Sequence, residues 1–209
     1  MLRRIISWIL DISGYLVPLV QSLPPLGVWT GLMTVPLISY LILTFSSLPS
    51  SLPLALTEFF WNSTFIKEKV FITVGLLILI YSSVYLRTKG GKVLVTSGPY
   101  RITRHPQYLG IIFLTLGFTS WSYLLLTNTW GIGFLTPSMT RDIWFIQLLV
   151  YLVLALIEEQ YLSKKYGESF VKYRSQVPML FPFIRTKIKA IDIILFILIP
   201  AFLLWIFLL

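Results

Sequence analysis

Five apolar runs dominate the chain, and each is close to the ~20 residues that an α-helix needs to cross the hydrocarbon core of a bilayer. They cover residues 26–48, 70–86, 108–127, 143–162 and 191–209. Because backbone polar groups find no water inside a bilayer, runs of this length predict helices that satisfy those groups internally. The sequence therefore predicts an all-α fold, a polytopic transmembrane helical bundle.

A sixth run, residues 5–20, is shorter and contains Gly14 and Pro18. It resembles a signal peptide, but Asp11 interrupts it and no small-residue cleavage site follows, so we expect it to be retained. Whether it crosses the membrane stays open. The bundle accordingly has five to six spans.

Composition supports a membrane protein, because 56% of the residues are hydrophobic and only 12% are charged. That is more apolar surface than one soluble domain buries. The net charge of +9 raises nucleic acid as a partner, but the basic residues lie in short segments beside apolar runs, where they suit lipid phosphates. We therefore expect membrane lipids as partners and no nucleic acid. The oligomeric state stays open, since lipid-facing and protein-facing surfaces look alike.

Positive charge is concentrated in residues 87–105 and 163–189. Two spans separate these segments, so both can face the cytoplasm, as the positive-inside rule requires. If residues 5–20 also crossed, Arg3 and Arg4 would lie on the opposite face, against the same rule. The small size and the absence of a retention signal favour a prokaryotic cell membrane over the endoplasmic reticulum.

We divide the chain into three parts. Residues 1–69 are N-terminal membrane segments of uncertain role, and residues 70–190 are a core with a loop and a cytosolic segment. Residues 191–209 are a C-terminal helix that either crosses the membrane or covers the site as a lid. We expect residues 58–69, just before the core, and residues 128–142, within it, to be connections between spans.

The loop within residues 90–110 contains the one histidine of the chain, His105. Its glycines and Pro99 interrupt the helix and leave backbone amides available to a ligand. Arg104 and His105 precede Pro106, a favourable first residue for the next helix, and a helix N-terminus with nearby cations favours an anion. The alternative interpretation is that the arginines are topology signals.

Glu158 and Glu159 lie together at the end of an apolar run. Carboxylates near hydrocarbon are costly unless they reach water or a cation, so they are candidate functional residues. Adjacent helical residues point about 100° apart, and we expect the two to have different partners. The alternative is that they pair with Lys164 or Lys165 at the headgroups. A pocket with Arg104, His105 and Glu158 would suit a zwitterion.

Two sequence blocks carry a resemblance to a known family. The first is G-x-Y-x-x-x-R-H-P-x-Y-x-G, from Gly98 to Gly110, and the second is E-E followed by G at Gly167 and Y at Tyr173. Together they resemble the isoprenylcysteine carboxyl methyltransferase family and its phospholipid-methyltransferase relatives. The resemblance covers roughly residues 85–182.

That resemblance implies an integral membrane methyltransferase that uses S-adenosyl-L-methionine, releases S-adenosyl-L-homocysteine, and binds the cofactor at the cytosolic face. Arg104 and Glu159 are the candidate catalytic residues, as orienting groups. The cofactor-binding residues carried over from the family are Lys92, Val93, Leu94, Val95, Tyr100, His105, Pro106, Gln107, Tyr108 and Glu158. No metal site is implied, and the absence of cysteine together with the lone histidine excludes thiolate and histidine-rich centres.

The methyl acceptor is less specified than the donor. The resemblance implies a lipophilic or prenylated acceptor, such as the carboxylate of an isoprenylcysteine, but Leu154 and Gln176 stand where the prenylcysteine enzymes carry basic residues. The acceptor group, a carboxylate, amine or thiol, therefore stays open. Two alternative functions remain: an NADPH-dependent membrane sterol or polyprenoid reductase, and a non-enzymatic membrane lipid-binding protein.

Overall fold

The computed structural model describes residues 25–45, 61, 63–89, 93–128, 135–182, 184 and 188–208. Within these residues the chain forms α-helices and short 3-10 turns and no β-strand. The helices are α1 (Pro25–Phe45), α2 (Ile66–Lys89), α3 (Pro106–Asn128), α4 (Pro137–Tyr166), α5 (Glu168–Gln176) and α6 (Lys189–Leu208). The predicted all-α fold is confirmed.

Four of these helices are long and apolar enough to cross a bilayer, namely α2, α3, α4 and α6. Helix α1 continues through Pro36 over 21 residues, and its apolar part Leu32–Thr44 is shorter than a full crossing. The prediction of a polytopic helical bundle is confirmed. The possible span at residues 5–20 lies outside the described residues.

Helix α4 is longer than the apolar run that predicted it. The prediction of a connection up to residue 142 was wrong, because the helix begins at Pro137. The Thr136 side chain accepts a hydrogen bond from the Met139 amide at 3.2 Å, so Thr136 caps a helix whose first residue is proline. At the other end, Gly167 adopts a positive φ of 53° and ends the helix at Tyr166.

The prediction of a connection over residues 58–69 was wrong at its end, because α2 begins at Ile66 and Glu68 is a buried residue of its first turn. Its side chain accepts a hydrogen bond at 2.7 Å from Ser120 of α3. This hydrogen bond to the neighbouring helix lowers the cost of burying the Glu68 carboxylate among apolar helices. The segment at residues 163–189, predicted only as basic and aromatic, contains the separate helix α5.

Helix α3 is the centre of the bundle. Of its apolar window 72% of residues are buried, against 11% for α2, and α3 packs against α2, α4 and α6. The outer surface of α2 is covered with exposed apolar side chains, which suits contact with lipid. These include Val70, Val74, Leu77, Ile80 and Val84.

Hydroxyl and indole groups join the helices inside the bundle. The Tyr40 hydroxyl of α1 lies 2.7 Å from the Thr119 hydroxyl of α3, and the Trp144 indole of α4 donates to the Thr115 hydroxyl at 3.1 Å. Tyr151 of α4 donates to the carbonyl of Met33 in α1 at 2.8 Å. These side chains thereby find partners on a neighbouring helix, as an apolar solvent favours.

One end of the bundle gathers the loop before α3, the end of α4, helix α5 and the beginning of α6, and we call it the site end. The Tyr173 hydroxyl of α5 donates to the Tyr100 carbonyl at 2.6 Å, and the Arg104 amide donates to the Pro178 carbonyl at 2.9 Å. The segments 93–105 and 163–182 therefore meet at the same end, as the charge pattern predicts.

Candidate functional site

The loop before α3 is held by backbone contacts to the segment that follows α5. After the 3-10 turn Gly98–Arg101, the Thr103 hydroxyl and the His105 amide both donate to the Met179 carbonyl, at 2.9 Å and 3.2 Å. These contacts bury Arg104 and His105 at the beginning of α3. The loop therefore presents Arg104 and His105 to the interior, whereas Arg101 is exposed to solvent.

The partners of the two glutamates of α4 differ in part, since Arg104 contacts only Glu159 and His105 lies near both. Glu158 lies 3.3 Å from Nδ1 of His105, whereas Glu159 forms an ion pair with Arg104 and lies 3.5 Å from Nε2 of His105. The alternative pairing with the following lysines is not found among the described residues, and Lys165 instead lies over the rings of Tyr161 and Tyr166. The predicted grouping of Arg104, His105 and Glu158 is present.

Arg104 is the centre of a buried ionic network. One terminal nitrogen contacts Glu159 of α4 and the other contacts Asp192 of α6, and its side chain is 2% exposed. Because both terminal nitrogens are engaged by carboxylates, the guanidinium is neutralised inside the protein. Arg104 therefore links the loop to two helices.

The sequence-based prediction missed Asp192. It lies in the first turn of α6 and is 7% exposed. The available signal was an ionisable residue within an apolar run, which by itself marks a candidate functional position in a membrane protein. Its partner could not be read from the sequence, because Arg104 lies 88 residues away.

The charge of His105 is set by two opposing effects. Burial lowers the pKa of His105, but the Glu158 and Glu159 carboxylates outweigh it and raise the pKa from 6.5 to about 9. The imidazole is therefore protonated at neutral pH. Burial and then the charge of Glu158 also raise the pKa of Tyr100 above its ordinary value, so its hydroxyl stays protonated.

We expect the stability of the protein to fall as the pH rises from 6.5 to about 9. A raised histidine pKa contributes stability that is fully present below the unfolded-state value and is lost as pH rises through the folded-state value. The loss is at most on the order of 3 kcal/mol. Melting temperature against pH measures it, and His105→Gln should flatten this window. An equally steep decline in His105→Gln would contradict the assignment.

Several buried polar atoms at the site end have no hydrogen-bond partner among the described residues. They are the Tyr100 and Tyr108 hydroxyls and Nε of Arg104, whereas Nε2 of His105 has only the 3.5 Å contact with Glu159. The Tyr108 hydroxyl is close enough to Glu158 to feel the charge of its carboxylate, but the two do not form a hydrogen bond of normal geometry. Unpaired buried polar groups are costly, so a cluster of them indicates a place where a further group binds.

The remaining predicted site residues occupy different surroundings. Val93 is 71% exposed, whereas Leu94 and Val95 are half-buried, and no backbone hydrogen bond between described residues involves these three. Gln107 donates to the Ser83 hydroxyl of α2 at 3.1 Å, and Pro106 is buried as the first residue of α3. Lys92 lies outside the described residues.

Two curated relatives share part of the sequence. A cobalt-zinc-cadmium resistance protein, CzcN, of Cupriavidus metallidurans is 26% identical over 135 residues, which are 58% of this chain and 53% of the relative. Protein-S-isoprenylcysteine O-methyltransferase B of Arabidopsis thaliana is 31% identical over 91 residues, 44% of this chain and 40% of the relative. The second match supports the resemblance to the isoprenylcysteine methyltransferases.

The chain spans about half or less of the length of these relatives. No solved structure matches it. The model of the ergosterol biosynthesis ERG4/ERG24 family matches residues 54–185, which is well over half of the chain and includes both sequence blocks and the ion pair between Arg104 and Glu159. This protein therefore belongs to the ergosterol biosynthesis ERG4/ERG24 family.

Proposed function

We propose that this protein is an integral membrane methyltransferase that uses S-adenosylmethionine and acts on a lipid-like or prenylated acceptor. The observation that carries the proposal is that the buried hydroxyls of Tyr100 and Tyr108 have no hydrogen-bond partner among the described residues, at the end of the bundle where Glu158 lies beside His105. The Arabidopsis relative, named as an isoprenylcysteine O-methyltransferase, supports the class of reaction.

The charges and donors at the site end fit this cofactor. Glu158 has a side chain 22% exposed, so its carboxylate can face an ammonium or sulfonium group that enters from water. The protonated hydroxyls of Tyr100 and Tyr108 can each donate to a ligand oxygen. The backbone of Val93 to Val95 offers amides that no described residue occupies through the backbone.

S-adenosylmethionine supplies, when bound, a methyl group already activated on a sulfonium, so alignment is the main task of the protein. Glu158 holds the cationic part of the ligand, and His105 holds Glu158 in place through Nδ1. Arg104 and Glu159 are paired with each other, and we assign them the role of orienting the loop.

We propose that the methyl acceptor is a lipophilic molecule that reaches the site from the bilayer. Leu154 is half-buried and Gln176 is exposed, so neither position supplies a cation for an acceptor carboxylate. Arg174 of α5 is close enough to affect Glu159 electrostatically and is the cation that we propose for such a carboxylate. We place the site end at the cytoplasmic face of a prokaryotic cell membrane.

Binding of S-adenosylhomocysteine to the detergent-purified protein is expected, and Glu158→Ala should weaken it about tenfold to a hundredfold, because a charge-assisted contact is lost. Isothermal titration calorimetry measures both. Glu168→Ala, which removes an exposed carboxylate of α5, is the matched control and should bind like the wild type. Absence of heat with the wild-type protein would overturn the proposed cofactor.

The strongest alternative is an NADPH-dependent sterol or polyprenoid reductase, which the family match favours. A dinucleotide phosphate needs cations that are free to bind phosphate. Arg104 and His105 both face carboxylates of the protein, which is less favourable for phosphates than for a cationic ligand. Oxidation of NADPH coupled to reduction of a sterol double bond by the purified protein would decide for the reductase.

A non-enzymatic lipid-binding protein is the third hypothesis, and it treats the charges of Arg104, His105 and Glu158 as structural. It predicts that Arg104→Ala, His105→Ala and Glu158→Ala leave lipid binding unchanged and that no small cofactor binds. Differential scanning fluorimetry with S-adenosylhomocysteine, NADPH and a lipid panel separates the three hypotheses, because a ligand well above its dissociation constant raises the melting temperature.

A further inference from the structure

We propose that Asp192 is a positioning residue of the site, contributed by a helix that lies beyond the matched family region, and that it keeps the Arg104–Glu159 pair oriented for ligand binding. The family model ends at residue 185, whereas α6 spans Lys189–Leu208. The inference deepens the proposed function and rests on it only for the identity of the ligand.

The contacts of Arg104 define what Asp192 does. Asp192 contacts Nη2 of Arg104, which leaves Nη1 for Oε1 of Glu159. The same Oε1 atom lies 3.5 Å from Nε2 of His105. Asp192 thus prevents the guanidinium from turning both terminal nitrogens toward Glu159, and Glu159 remains shared between Arg104 and His105.

A continuous series of contacts connects Asp192 of α6 to Glu158, the residue proposed to face the ligand. The order of contacts runs from Asp192 through Arg104 and Glu159 to His105, and from His105 to the partly exposed Glu158. A buried charge needs compensation by a nearby opposite charge. Removing the negative charge of Asp192 therefore changes the electrostatic surroundings of Glu159 and His105 without touching any residue that faces the ligand.

Neutralising Asp192 should lower the pH at which His105 loses its proton. Without the charge of Asp192, Arg104 is compensated by Glu159 alone, so less negative charge acts on the imidazole of His105. The imidazole then loses its proton at lower pH. The groups that face His105 or its carboxylates from the surrounding elements are Glu158 and Glu159 of α4, Arg104 of the loop, Tyr108 of α3, Tyr100 of the 3-10 turn, and Tyr173 and Arg174 of α5.

The test uses the full-length purified protein and the variant Asp192→Asn, which keeps the size of the side chain and loses its charge. Affinity for S-adenosylhomocysteine should fall about tenfold, and the pH at which stability declines should move down by about one unit. Asp192→Glu should restore most of the affinity and the wild-type pH profile. The matched control is Asp142→Asn at the exposed beginning of α4, which should change neither.

Each outcome decides the proposal. A variant Asp192→Asn with a lower melting temperature but wild-type affinity and pH midpoint would show a purely structural role and overturn it. Asp192→Ser is the second neutral variant, and if neither neutral variant folds, the role is structural and the proposal is equally overturned. If the wild type fails to bind S-adenosylhomocysteine, the proposed function fails. The role of Asp192 is then still tested by the pH at which the melting temperature of the ligand-free protein declines.

Discussion

Replacing Arg104 with methionine is expected to lower the free energy of unfolding by about 3–5 kcal/mol, because it removes the partner of two buried carboxylates. Arg104, Glu159 and Asp192 have side chains that are 2%, 4% and 7% exposed. Methionine fills part of the space but removes the Arg104 charge from Asp192 and leaves Glu159 with only the imidazole of His105. Reversible denaturation in detergent, followed by tryptophan fluorescence, measures the loss.

Two comparison variants separate this effect from a general loss of positive charge. Arg101→Met changes an exposed arginine three residues earlier in the same loop and should cost little. Combining Arg104→Met with Glu159→Gln and Asp192→Asn should recover part of the loss, since no unpaired charge is then buried. A cost for Arg104→Met no larger than that for Arg101→Met would contradict the buried network.

Adding a methyl group at Gly75 is expected to destabilise the bundle by about 3 kcal/mol, at the upper end of the cost of overpacking. A Cβ at Gly75 of α2 would overlap the backbone nitrogen of Leu114 and lie 2.6 Å from the Gly110 carbonyl oxygen of α3. Backbone atoms cannot rotate away, so Gly75→Ala must separate the two helices. The same denaturation assay measures the effect.

Gly110→Ala acts on the same contact from the other helix, because its Cβ would lie 2.7 Å from the Leu79 nitrogen and 2.8 Å from the Gly75 carbonyl oxygen. The double variant should cost less than the sum of the single ones, since the first substitution already separates the helices. Gly167→Ala adds the same methyl where nothing lies within 4 Å and should cost only the strain of a positive φ, about 1–2 kcal/mol. Additive losses would argue against one shared contact.

The helical bundle could be predicted from the sequence because the signal is local. The length and hydropathy of an apolar run are enough to indicate a membrane helix, and the runs at residues 108–127 and 191–209 correspond closely to α3 and α6. Helix ends were less accurate, because they depend on capping and on partners in neighbouring helices. Thr136 caps α4 ahead of its apolar run, and Ser120 of α3 donates a hydrogen bond to Glu68 near the beginning of α2.

The candidate site was predictable in its residue types and only partly in its contacts. Glu158 and Glu159 were expected to have different partners from helical geometry alone. Arg104 contacts only Glu159, but His105 lies near both carboxylates. Which partner each takes depends on the position of the loop, which is set by hydrogen bonds to the Pro178 and Met179 carbonyls after α5. No local pattern predicts contacts over such sequence separations.

The sequence by itself determined that this protein is a helical membrane protein and that its charged residues concentrate in two segments at one face. The length of an apolar run and the charge of a loop can each be recognised from that segment alone, so both can be predicted without knowing the tertiary structure. Only the tertiary structure decided that Arg104 is neutralised from both sides and that Asp192 belongs to the site. An ion pair between two helices and a loop depends on how they pack against α3, and packing is a property of the whole bundle.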